Sequence, residues 1–347
     1  MAFIPKFNIS IPMATSLAAI ERTHGFLEAA QLSENWIAKM QNKALVLEAH
    51  HTTHIEGTHL ILEQSEKLLA GEKVSGVDED DAKELLNYKK AFDFVSDYIF
   101  SKNPITEGLI REIHKKLVEG VRGNSAQPGA YRTVQNYVAN SKTKEVIYTP
   151  PPAYEVPILM VELIDWLKNE REIPSVLVAG MAQFQLVHIH PFLDGNGRTA
   201  RLLSTLFLYQ SGYDFKKLFT ISEYYDRNRQ DYYHAIQSVR NNEMDMTIWL
   251  EYFCKALETQ MHEIELKSSE VMKFDFIAVK FNLSERQKQA MEHFLGEKEF
   301  TIQEYESLYE GVSRRTLQRD ISDLIEKGLI SQTGTKKASR YKTNPLD

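Results

Sequence analysis

The chain has 347 residues, 43% hydrophobic and 26% charged, a composition that excludes a disordered, collagen-like or disulfide-scaffolded protein. At roughly 150 residues per domain this length predicts at least two domains. The net charge of −7, from 41 basic and 48 acidic side chains, argues against indiscriminate nucleic-acid binding but leaves room for a local basic face. No apolar run is long enough to span a membrane, and residues 1–16 lack the basic and apolar regions of a secretory signal, so a cytoplasmic location is expected with no membrane partner.

Apolar residues recur at spacings of three and four over long windows, so the expected fold class is mainly α. Leu85, Tyr88, Phe92, Val95 and Ile99 form a first core stripe. Residues 133–138 and 145–149 are β-rich runs separated by a polar stretch, which predicts a hairpin. Two strands with no sheet to join are marginally stable, so the ribbon must either pack as a connector or offer its edge to a partner. After the breaker run Pro150, Pro151, Pro152 comes a helix with the stripe Leu159, Leu163, Trp166 and Leu167. A largely apolar helix over 176–189 must stop before Pro191, and another begins near Asn196, running apolar through Leu202, Leu203, Leu206 and Phe207. The single cysteine, Cys254, sits among Trp249, Leu250, Tyr252, Phe253 and Leu257, the setting of a buried thiol rather than a nucleophile. Residues 273–281 read as a linker. Beyond it, helices over 284–295, 302–309 and 313–327 and a ribbon over 329–342 have the spacing of a helix-turn-helix with a wing.

The chemistry concentrates in His188–Arg201, His-Ile-His-Pro-Phe-Leu-Asp-Gly-Asn-Gly-Arg-Thr-Ala-Arg. It is a turn between two buried helices. Gly195 and Gly197 let the backbone approach a ligand closely, and free amides at the start of the second helix make an anion nest suited to phosphate. Arg198 and Arg201, three apart, are expected to face that nest together and clamp a polyphosphate, with Asp194 holding a divalent cation. His190 supplies a base with a pKa near neutrality.

His190, Pro191, Phe192, Asp194, Gly195, Asn196, Gly197, Arg198 and Arg201 match every fixed position of the motif His-Pro-Phe-x-Asp-Gly-Asn-Gly-Arg-x-x-Arg, and here the chain resembles the Fic family. The resemblance implies a Fic-type helical core that transfers AMP from ATP to a hydroxyl of a protein, releasing pyrophosphate. It implies His190 as the base, Asp194 as the Mg2+ ligand, Gly195, Asn196 and Gly197 as the lining of the anion hole, and Arg198 and Arg201 as phosphate ligands. Phe192 would be a core anchor. Thr52-Thr-His-Ile-Glu56-Gly57 is similar to the family's inhibitory motif, whose glutamate pairs with the second motif arginine, here Arg201. Thr52 and Glu56, four apart, share a helical face. The hairpin resembles the family's flap, so residues 131–149 would dock the protein substrate by strand addition. Tyr232 and Tyr233 sit where relatives build the adenine pocket, though core aromatics would look the same. His50 and His54 share a face, yet no third ligand stands nearby to complete a metal site, and His188 is expected to make a structural hydrogen bond.

In the last segment, Ser313, Arg314, Arg315, Thr316, Gln318 and Arg319 resemble the recognition helix of a winged-helix domain, with Lys336 and Lys337 placed to contact phosphate. Such domains bind duplex DNA or dock proteins; residues 312–342 would carry either role. The expected organisation is an N-terminal helical region over 1–100 with an inhibitory helix near 46–60, a catalytic core over 101–270, and a winged helix over 282–347. A homo-oligomer is left open. Two functions compete: an autoinhibited protein adenylyltransferase, and a DNA-binding regulator whose core senses nucleotide. An intact His190 favours the first, since a sensor needs no base.

Overall fold

The computed structural model describes residues 3–100, 103–139, 143–294, 299–309, 311–334 and 339–344. Its first compact unit comprises Met1–Glu28 and Glu34–His262. It is built from α1 (Ile11–Ala29), α2 (Glu34–Ile55), α3 (Leu62–Leu69), α4 (Glu79–Phe100), α5 (Glu107–Val118), strands β1 (Val138–Ala139) and β2 (Val146–Tyr148), then α6 (Val156–Asn169), α7 (Ser175–Ile189), α8 (Asn196–Gln210), α9 (Ile221–Arg227), α10 (Arg229–Asn241) and the first part of α11 (Thr247–Lys280). Local chemistry sets several boundaries. Thr106 caps α5 by accepting from the Leu109 N–H at 3.1 Å, and Pro157 opens α6 where no amide donor is needed.

α7 is buried from Val176 through Leu186 and again at Ile189, because its sequence is apolar or small on nearly every face. At Gly180 an added Cβ would come within 3.0 Å of Leu250 and Phe253, so only glycine lets α11 approach so closely, and the Trp249 indole donates to the Gly180 carbonyl at 2.8 Å. α8 packs beside α7 and carries Arg198 and Arg201 into the interior. Among the described residues no helix is long and apolar enough to cross a membrane.

The expected hairpin is present but shorter. Among the described residues only Val138 and Ala139 pair, with Tyr148 and Val146, across an irregularity, while residues 133–137 form no ladder. Their polar groups are committed elsewhere: Gln135 donates to Pro150 O at 3.0 Å and Asn136 to Phe192 O at 2.9 Å. Residues 140–142 of the connecting loop lie outside the described residues.

The second unit is Ala29–Ser33 with Glu263–Asp347. The stretch expected to be a linker continues α11 to Lys280, since it contains neither glycine nor proline and presents Val271, Phe274, Ile277 and Ala278 as a buried stripe. There follow α12 (Glu285–Phe294), α13 (Ile302–Ser307), α14 (Arg314–Glu326) and an antiparallel ribbon of β3 (Ile330–Thr333) and β4 (Arg340–Thr343). Thr301 and Glu304 form a capping box for α13, and Ser313 caps α14.

Candidate active site

α7 ends at His190, whose backbone is left-handed at φ 52° and ψ 57°, because Pro191 cannot continue the helix. That conformation costs a non-glycine residue about 1 kcal/mol and persists because neighbours hold it. Buried Arg132 does this: its Nε donates to His190 O at 2.8 Å, its Nη2 to Pro151 O at 2.5 Å, and its backbone N–H to Pro191 O at 2.9 Å. Phe192 is fully buried and stacks on His114 with ring centroids 3.7 Å apart, the core anchor expected of it. His114 Nε2 donates to Asp194 O and its Nδ1 accepts from Gly129 N, both at 3.0 Å, which fixes a neutral tautomer. Burial holds its pKa down near 4.

Gly195 is left-handed at φ 74°, and a Cβ there would meet Val118 at 2.8 Å. The Asn196 side chain turns back into the loop, accepting from Phe192 N and donating to Phe192 O, each at 2.9 Å. It braces the turn, so Asn196 can offer only its main chain to the nest. The His190 Nδ1 lies 3.3 Å from Val187 O, which can only accept; Nδ1 therefore carries the proton and the Nε2 lone pair is left for chemistry. Burial lowers the His190 pKa to about 4, below the near-neutral value expected, so the imidazole is an unprotonated base at pH 7.

Glu56, just past the end of α2, lies over the opening turn of α8. Its Oε1 is 2.7 Å from Arg201 Nη2, and a Cβ at Gly197 would fall 2.2 Å from the same oxygen. Thr52 completes the grip, accepting from Arg201 Nε at 2.7 Å through its hydroxyl and from Nη2 at 3.0 Å through its carbonyl. Burial alone would lower the Arg201 pKa; the Glu56 carboxylate outweighs it, and the guanidinium is held above its ordinary value.

Arg198 does not join Arg201 over the nest. It is 2% exposed and bonds Glu84, equally buried, at 2.7 Å. The two side chains leave α8 in different directions because three residues turn the helix by less than a full turn, and a buried carboxylate claims the first. Arg122 Nη2 stands 2.8 Å from the other Glu84 oxygen, and its Nη1 3.1 Å from Asp194 Oδ2. Asp194 is 44% exposed at the end of this network, and its Oδ1 accepts from Gly195 N at 2.6 Å. Among the described residues no group of three or more His, Cys, Asp and Glu gathers as a metal cage. A half-exposed carboxylate just before the start of a helix nonetheless fits Mg2+, which takes one or two carboxylates and completes its shell with other oxygens and water.

Tyr232 and Tyr233 part company. Tyr232 is buried, stacks on Tyr225 at 4.5 Å and brings its hydroxyl to 3.5 Å from Arg201, whereas Tyr233 is 49% exposed. His51 and His54 share Asp226 Oδ2 at 2.9 and 2.7 Å, with Arg229 on the second oxygen. Burial raises the Asp226 pKa and these three partners more than reverse it, to about 2. His188 bonds the Tyr148 hydroxyl at 2.9 Å, and Cys254 is buried with its thiol pushed up to about 12. Val146 and Ile147 in the ribbon, and Val134 and Tyr137 in the segment before it, are exposed. In the second unit Arg315, Gln318 and Arg319 are exposed on α14, Arg314 pairs with Glu306 at 3.0 Å, and Lys336 and Lys337 lie outside the described residues.

Sequence reasoning missed Glu84, Arg122, Arg132 and His114. Each meets the loop across 58 to 114 residues of chain, so no local spacing betrays it.

Residues 104–208 match the Fic/DOC family. The chain is 30% identical over 200 residues to the protein adenylyltransferase Fic of Drosophila willistoni, covering 57% of this chain and 38% of that protein. With its counterpart in Culex quinquefasciatus it is 30% identical over 198 residues, 56% of this chain and 38% of the other. The chain thus spans well under half the length of the curated relatives it matches. A Fic family protein from Desulfovibrio desulfuricans G20 superposes with a TM-score of 0.70 at 21% identity, covering 99% of this chain and 98% of that one. Fic-1 of C. elegans, residues 134–508, superposes with a TM-score of 0.62 at 25% identity over 72% of this chain and 71% of that one. The chain shares the fold of these proteins.

Proposed function

We propose that the chain is a protein adenylyltransferase, moving AMP from ATP to a hydroxyl side chain of a target protein and of itself, and held at rest by Glu56. One observation carries the reading: a carboxylate occupies the amide nest and its arginine, where a polyphosphate would bind, beside a histidine whose free Nε2 is unprotonated at neutral pH. His190 Nε2 takes the proton of the acceptor hydroxyl as its oxygen attacks the α-phosphorus; the bond to the bridging oxygen breaks and pyrophosphate leaves. Once Glu56 withdraws, Arg201 and the amides of Asn196 and Gly197 hold the phosphates, and the developing charge on the leaving group is met by donors already in place. Arg198, held by Glu84, lends its charge from below the nest. Asp194 would hold Mg2+, whose contribution is to neutralise phosphate charge.

The exposed apolar residues of the ribbon support docking of a target segment along 131–149, with its backbone adding to a strand edge. The buried Tyr232 beside Arg201 supports an adenine site on that side, with Tyr233 at its rim. We further read residues 282–347 as a winged helix and retain the organisation into 1–100, 101–270 and 282–347. The exposed Arg315, Gln318 and Arg319 on one helix favour the second reading, a DNA-binding regulator. Incubation with ATP labelled at the α-phosphate separates the two. Transfer to protein that is lost in His190→Ala while nucleotide binding persists supports the enzyme; equal labelling by wild type and His190→Ala refutes it.

A further inference from the structure

Four charged side chains close a ring beside the nest, and one of them differs from the rest. Glu84 and Arg198 are each 2% exposed and bond at 2.7 Å, and Arg198 Nη2 lies 3.6 Å from Asp194 Oδ1. Arg122, 51% exposed, bridges the two carboxylates from outside at 2.8 and 3.1 Å. Its fit is imperfect: Glu84 Oε1 is buried and receives no hydrogen bond despite the nearby guanidinium, and Arg198 Nε is buried without an acceptor. Two carboxylates against two guanidiniums sum to zero. Without Arg122 the remaining three groups carry −1, and a divalent cation in its place makes the site +1, the sign a polyphosphate requires. Arg122 is mounted to leave. It lies in a left-handed segment, at φ 44° and followed by Gly123 at 64° and Asn124 at 61°, and its backbone is tethered separately to Asp80 Oδ1 at 3.0 Å.

We propose that Arg122 is a resident counter-cation, seated between Glu84 and Asp194 while the site is empty and giving way to the divalent cation that arrives with the nucleotide. The proposal rests on Asp194 being the metal-binding carboxylate. Arg122 then keeps the buried Glu84 neutralised, and it competes with the metal and so sets the concentration at which the site fills. Glu84 is a positioning residue that holds Arg198.

The test uses Mn2+ as the probe and needs no turnover. Free Mn2+ is followed by electron paramagnetic resonance during titration of the full chain, with and without α,β-methylene ATP, whose α-phosphoryl group cannot be transferred. Removing one competing half-exposed charge is expected to tighten Mn2+ binding by about tenfold in Arg122→Ala, with Arg122→Lys closer to wild type. Adding Asp194→Asn to Arg122→Ala should abolish the gain. Equal or weaker Mn2+ binding by a folded Arg122→Ala, with Asp194→Asn still impaired, overturns the proposal while sparing the reading of Asp194. Unimpaired binding by Asp194→Asn alone overturns both.

Discussion

Replacing Glu56 with glycine removes one of four acceptors that hold the Arg201 guanidinium and leaves the other three, two from Thr52 and the Tyr232 hydroxyl, in place. The guanidinium therefore stays oriented while the nest opens. Arg201 is 1% exposed and Glu56 26%, so the lost contact is a charge-assisted hydrogen bond at a largely dry site. Such a bond contributes about 1.5–3 kcal/mol. A γ-phosphate entering the wild type must displace it; at about 1.4 kcal/mol per decade, its removal raises AMP transfer roughly 10- to 100-fold. Glycine also clears the space over Gly197, where the Glu56 oxygen now sits. The assay is incorporation of α-labelled AMP into the chain itself and into lysate proteins, compared across wild type, Glu56→Gly and the double variant with His190→Ala. The double variant should be silent, which separates released inhibition from contaminating activity. If Glu56→Gly is no faster than wild type across a range of ATP and Mg2+ concentrations, the Glu56–Arg201 contact is structural and the inhibitory reading falls.

Three further outcomes follow from burial and charge. Because His190 is held near 4, kcat/KM of the released variant should stay level as pH falls through 6.5 and decline only toward 4; an acid limb centred near 6.5 refutes the neutral buried base. His50, His114, His188 and His190 all have folded pKa values near 4 against 6.5 unfolded, so below 6.5 the unfolded chain binds more protons: stability is full above 6.5 and falls as pH drops toward 4, and an unchanged Tm between pH 7 and 5 contradicts this. Charge reversal at Arg314 and Arg315 should weaken binding of duplex DNA measured by fluorescence anisotropy at low salt; if the wild type binds no genomic fragment there, the second unit is a protein-docking module.

The sequence by itself determined what depends on neighbours in the chain. Pro191 forbids continuation of α7 and Gly195 supplies a left-handed turn, so the stretch from His190 to Arg201 was legible as a turn between two buried helices before any fold was known. The amphipathic stripes likewise marked α4 and α6, because a helical face is a periodic property of consecutive residues, while apolar runs marked α7 and α8. Where tertiary contacts overrode local composition, local reading failed. Residues 133–137 have strand composition but are tied down by side-chain bonds to the loop, and residues 273–281 read as a linker although their buried stripe belongs to α11. The resemblance implied the Glu56–Arg201 pair, but tertiary structure alone decided which acid Arg198 takes. Arg198 and Arg201, three apart in sequence, take different acids, Glu84 and Glu56, which lie 114 and 145 residues away. Charge pairing in a dry interior is chosen by which carboxylate the packing of α2 and α4 brings within about 3 Å, and no spacing along the chain encodes that distance.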